Sequence, residues 1–163
     1  MTEEKLTRKE KFAALVVLVL GIFLTILLII SIASSRSTTV LDIGNTLTIN
    51  KSELLNYFRF TITIIIALTS GYLLYCKKKL GWIMGVPFLL FSTILAVYII
   101  WFLHSMKYIP GFILSIIGFL VLLSSLIILF LPSTQQKYKV SKHTYLPTFI
   151  FLVVICTLFF FLQ

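Results

Sequence analysis

Phe12–Ala33 reads FAALVVLVLGIFLTILLIISIA, an uninterrupted apolar stretch with no charged residue. At a rise of about 1.5 Å per residue, a helix of roughly 20 such residues crosses the ~30 Å hydrocarbon layer of a bilayer. Four further runs of similar length follow, at 57–76, 81–104, 109–131 and 145–162. Inside hydrocarbon every backbone N–H and C=O must find a partner within the protein, which leaves helices or closed barrels. The runs are continuously apolar and do not alternate apolar with polar residues, so helix is the reading. All five acidic residues (Glu3, Glu4, Glu10, Asp42 and Glu53) fall outside the runs. The expected fold is therefore an all-α integral membrane protein. It is a bundle of five transmembrane helices forming one polytopic domain over 1–163.

The composition agrees. The chain is 60% hydrophobic with a mean hydropathy of +1.10, well above a soluble domain. Its net charge of +9 does not call for nucleic acid, because basic linkers beside apolar spans are what membrane topology requires and anionic headgroups are a sufficient partner. No nucleic-acid-binding motif is present. The two cysteines, Cys76 and Cys156, form no C-x-x-C pair and read as packing or interfacial residues.

Charge sets the expected orientation. With five spans, Lys5, Arg8, Lys9 and Lys11 share one side with Lys77, Lys78 and Lys79 and with Lys137, Lys139 and Lys142. Only Arg36, Lys51, Arg59 and Lys107 fall on the other. The richer side is placed in the cytoplasm, with the N-terminus inside and the C-terminus outside. Aromatic residues mark the same boundaries: Tyr75, Trp82 and Tyr145 at the inner one, and Tyr57, Trp101 and Tyr108 at the outer. The expected location is the cell (cytoplasmic) membrane, multi-pass. The first span is longer than the apolar core of a signal peptide and reads as an uncleaved anchor, although Ser31-Ile32-Ala33 has small-x-small form. In the fifth span Pro147 is expected in the first turn, where its missing N–H is harmless.

The longest loop spans 34–56 on the extracytoplasmic side. Leu41–Ile49 alternates about Gly44-Asn45, the pattern of a two-residue β-hairpin turn, so a short hairpin-like loop is expected. It reads as an ordinary linker or as a docking surface. Asn50-Lys51-Ser52-Glu53 resembles a capping box, which starts the second helix near Lys51. Asn50-Lys51-Ser52 is also a glycosylation sequon, relevant only in a secretory host.

Within the spans the polar residues are few. Ser52, Asn56, Arg59, Thr63 and Ser70 fall on one face of the second helix. Arg59 is the only charge inside a span, close enough to its end to reach headgroups. Asn56, Arg59 and Thr63 are thus the candidate ligand or lipid-headgroup residues, with Arg59 expected to hold a lipid phosphate or an anionic group of a partner. Gly81, Gly85, Ser92 and Ala96 share a face of the third helix. Gly111, Ser115, Gly118 and Ser125 share a face of the fourth. Small faces let helices approach closely in lipid. The short link between the two helices makes them antiparallel neighbours, so Gly81, Gly85, Gly111, Ser115 and Gly118 are expected to pack helix on helix or to face another subunit.

Catalytic chemistry is sparse. The spans carry no carboxylate for a proton relay. His104 and His143 lie at opposite faces and cannot share a metal or haem, so no metal site and no cofactor are expected. The expected function is that of a small polytopic membrane protein without a catalytic constellation. It would be either a non-enzymatic accessory subunit or a protective protein of the immunity type, with a membrane-protein partner or a homo-oligomer. The alternative is a small transporter or lipid-handling protein using the polar face of the second helix. A third reading, an enzyme built on His104, has nothing in the sequence to orient the imidazole.

Overall fold

The structure, a computed structural model, describes residues 7–39 and 51–161, with side chains over 7–34 and 54–159. It contains α1 (Arg8–Thr39), α2 (Lys51–Tyr75), α3 (Lys79–Ser105), α4 (Ile109–Phe130), a short α5 (Pro132–Lys137) and α6 (Lys142–Phe161). All but α5 are long and apolar enough to cross a membrane, giving the five expected spans. No strand occurs among the described residues. The expected hairpin over Leu41–Ile49 and the Asn50 cap lie outside them. Helix α2 is described from Lys51 onward, so the capping-box reading of its start falls at the edge of the described residues.

Helices α1, α2, α3 and α4 close a ring in which each packs on the next and α4 returns to α1, while α6 lies against α3. Three partners make α3 the most buried helix: Gly81, Trp82, Gly85, Val86, Pro87, Phe88, Leu89 and Phe91 are covered. All these residues lie in the first half of α3. The same half of the bundle holds Ala13, Ala14, Val16 and Val17 of α1, Ala67 and Leu74 of α2, and Leu122 and Leu129 of α4. Among the described residues the buried hydrophobic core, Ile155 of α6 apart, therefore lies in one half of the bundle. This half carries the three basic segments, and it is called here the basic end.

The chain ends three helices in the same way. Lys77, Lys107 and Lys139 adopt positive φ, between 52° and 55°. Each is followed by a residue whose N–H reaches back five positions: Lys78 to the Leu73 carbonyl (2.9 Å), Tyr108 to Leu103 (3.2 Å) and Val140 to Gln135 (2.9 Å). These are Schellman turns, which satisfy helix-terminal carbonyls that otherwise have no partner. Glycine usually takes the left-handed position. Lysine there costs about 1 kcal/mol of backbone strain, offset in part by its charge at the negative end of the helix dipole.

Two starts are capped by side chains. The Glu10 carboxylate accepts the Thr7 N–H (2.8 Å) at the head of α1. The Thr144 hydroxyl accepts the Ser141 N–H (3.0 Å) at the head of α6. Because α6 begins at Lys142, Pro147 lies inside the helix and not in its first turn. Its ring removes the hydrogen bond to the carbonyl four residues earlier, that of the exposed His143, where water can substitute.

The small face of α3 packs helix on helix, though against α2 and not against the small face of α4. Gly81 and Gly85 face α2: a Cβ at Gly81 would strike the Leu73–Leu74 backbone, and one at Gly85 the Leu74 side chain at 2.7 Å. A Cβ at Gly111 would meet Tyr108 of its own turn and Leu103 of α3 (3.4 Å), whereas one at Gly118 would meet no side chain or other helix among the described residues within 4 Å. Ser115 is half-buried. Helices α3 and α4 are packed neighbours, with Gly111 against Leu103 near their link, while Gly81 and Gly85 are turned to α2. Gly81→Ala is expected to destabilise the protein by about 1–3 kcal/mol, because backbone cannot move aside as a side chain can. Gly118→Ala should stay within about 0.5 kcal/mol of wild type. Thermal unfolding of both variants in detergent measures the difference.

Candidate functional site

The polar face of α2 is built around Arg59, where the chain leaves the well-packed half. The Arg59 guanidinium donates from Nη1 to the Phe159 carbonyl at 3.3 Å, linking α2 to the last turn of α6. A helix C-terminus carries partial negative charge, so a cation is favoured there. The Phe159 ring in turn meets Phe91 of α3 edge-on, with centroids 5.0 Å apart, which fixes the end of α6 against the ring of helices.

Below Arg59 lies a narrow cleft between α2 and α6, lined by Arg59, Ile62, Thr63 and Ile66 on one side and Ile155, Leu158 and Phe159 on the other. Its interior, about 20 Å³, is enough for a single water-sized body. The Thr63 hydroxyl donates to the Arg59 carbonyl (2.8 Å), so it reinforces its own helix. Ser70 is fully buried and donates likewise to Ala67 (3.1 Å). Asn56 is exposed and does not line the cleft. Of the three candidate ligand residues, the structure brings Arg59 and Thr63 together at the cleft and leaves Asn56 apart.

A second polar cluster, at the basic end, escaped the sequence reading. Glu10 is only 2% exposed and pairs with Lys137, whose Nζ lies 3.1 Å from Oε1 and 3.3 Å from Oε2. The next residue, Tyr138, is buried and donates its hydroxyl to the Leu74 carbonyl at 2.8 Å. Burial, and secondarily the charge of Glu10, pushes the Tyr138 phenol well above the usual range, which keeps it a neutral donor. Trp82 is fully buried beside the same segment. Its indole N–H donates to the Leu129 carbonyl (3.0 Å), and its ring meets Phe130 and Tyr145 edge-on. Trp82 is therefore a core residue and not part of an interfacial girdle. Tyr75, Trp101, Tyr108 and Tyr145 do remain exposed at the helix ends.

These contacts tie the head of α1, the α2–α3 turn and the α4–α6 connection into one surface. The three lysine- and arginine-rich segments accordingly share an end of the molecule, as the five-span count requires. The cluster's one sequence signal was Thr7-x-x-Glu10, the spacing of a capping box. The ion pair spans 127 positions of chain and has no local signature.

His104 at the end of α3 is exposed beside Phe112, and His143 lies at the start of α6, so the two are at opposite ends. Among the described residues, no group of three His, Cys, Asp or Glu is placed to hold a metal ion. Comparison with protein-family models, with curated proteins and with solved structures gives no match to this chain.

Proposed function

We propose that this chain is a non-enzymatic subunit or protective protein of the cell membrane that works by packing against another membrane protein. Its N-terminus and basic end face the cytoplasm. The observation that carries this reading is that, among the described residues, the buried hydrophobic core apart from Ile155 lies in one half of the bundle. From its middle toward the opposite end α4 presents Gly118, where an added Cβ would meet no side chain or other helix among the described residues within 4 Å, and large apolar side chains such as Ile113, Leu114 and Ile117 are exposed beside it. Between helices in lipid there is little hydrophobic drive, so association depends on close packing, and small residues on an outward face permit it. The polar groups of the spans support the same reading, since the hydroxyls of Thr25, Thr61, Thr63, Thr93 and Ser125 each donate to a carbonyl of their own helix.

The test is purification at native expression in a gentle detergent, with mass spectrometry of what stays bound. A stoichiometric membrane-protein partner is expected, and Gly118→Leu should reduce its retention without changing the chain's own unfolding temperature. Recovery of the chain alone, or as a homo-oligomer that moves solute into liposomes, would overturn the proposal in favour of transport along α2.

A further inference from the structure

The geometry points to the mouth of the α2–α6 cleft as a binding site for one anionic phospholipid, its phosphate on Arg59 and the upper part of one acyl chain laid along the open side of the furrow, whose interior is too narrow to admit it. This proposal is independent of whether the protein works as a partnered subunit.

Depth comes first. The apolar span of α2 begins at Leu54. Arg59 follows by about five residues, roughly 8 Å along the helix axis. An arginine side chain bridges that distance, so the guanidinium sits at the level of lipid phosphates and not at the bilayer centre.

Chemistry comes second. Ile62 and Ile66 continue from Arg59 along α2, and Leu158 and Ile155 face them from α6, so the wall running inward from the cation is aliphatic. A cation at headgroup depth above an aliphatic furrow matches a phosphate joined to a fatty-acyl chain. It does not match a soluble anion, for which the aliphatic wall offers nothing. Thr63 adds no donor, because its hydroxyl proton is committed to the Arg59 carbonyl. Recognition therefore falls to the guanidinium, whose planar fork can hold a helix carbonyl and a phosphate oxygen together.

Charge decides the headgroup. The guanidinium already offsets the negative end of α6 at Phe159. A lipid carrying net negative charge gains from the cation, whereas a zwitterionic lipid brings its own ammonium close to it. The site should prefer phosphatidylglycerol to phosphatidylcholine.

Native mass spectrometry of the purified chain in detergent tests this, with titrations of phosphatidylglycerol, phosphatidylcholine and inorganic phosphate. The wild type is expected to hold one phosphatidylglycerol per chain, more tightly than phosphatidylcholine by roughly tenfold, about 1.4 kcal/mol, the scale of one partly screened like-charge contact between the choline ammonium and the guanidinium. Arg59→Gln should abolish the preference. Ile62→Trp should fill the furrow and weaken both lipids while Arg59 stays in place, so it decides the matter if Arg59→Gln does not fold. Equal binding of the two lipids by wild type would overturn the proposal. So would unchanged lipid binding in Ile62→Trp, or binding of inorganic phosphate that competes with the lipid at similar concentration.

Discussion

Trp82→Ala is expected to destabilise the protein by about 3–5 kcal/mol, the range for emptying a large buried aromatic site. Trp82 has no exposed surface, and its ring fills the space between α3, the end of α4 and Tyr145 of α6. Its loss also leaves the Leu129 carbonyl without the indole N–H, at the point where α4 ends and α5 begins. Trp82→Phe separates the two contributions. It keeps most of the packing and removes the hydrogen bond, so it should cost about 1–3 kcal/mol, the expense of one buried acceptor left unpaired. Thermal unfolding in detergent, followed by near-UV circular dichroism, reads both variants. A Trp82→Ala protein as stable as wild type would mean that the ring is replaceable by lipid and that the basic end is not a closed core.

Glu10→Ala is expected to cost about 3 kcal/mol, near the lower end of the range for removing one member of a buried ion pair. The lower end applies because Lys137, at 17% exposure, can still reach water once its partner is gone. Part of the loss is the Thr7 N–H, which the carboxylate caps. Glu10→Gln retains an acceptor for that N–H and isolates the charge. The double variant Glu10→Ala, Lys137→Ala removes the stranded cation and should recover about 1–2 kcal/mol relative to the sum of the single changes, since contacting residues couple. A double-mutant cycle from denaturant unfolding measures this coupling. Strict additivity would show that the two side chains act separately. Raising the salt concentration should change the coupling little, because a covered pair is poorly screened.

Five spans, their helical state and the gathering of the basic segments at one end were legible in the sequence. Each depends on local composition. An apolar run of sufficient length must be helical in lipid whatever surrounds it, and an odd number of spans fixes which linkers share a side. The position of Arg59 near the end of a span was equally legible, since it needs only counting along a helix.

What touches what was not legible. Small residues at four-residue spacing announce that a helix can be approached, but not by which neighbour. Gly81 and Gly85 receive α2, and Gly118 receives no other helix among the described residues. Trp82 and Tyr145 look alike in sequence as boundary aromatics, yet one is fully buried and the other exposed. The difference comes from α3 having three helical neighbours. Arg59, expected to reach the headgroups, also turns across to the α6 carbonyl of Phe159, a hundred residues away in sequence. For Glu10 the sequence shows only that it lies outside the spans, and the fold is what places Lys137 against it.

The sequence by itself determined that the chain is a five-helix membrane protein with one strongly basic end, because the bilayer acts on each segment through its own length and polarity. Only the tertiary structure decided that the basic half is a closed core locked by Glu10–Lys137, Tyr138 and Trp82, and that the opposite half leaves a cleft beside Arg59. Those features arise from contacts between helices, and in lipid such contacts are selected by shape and hydrogen bonding, which no single segment encodes.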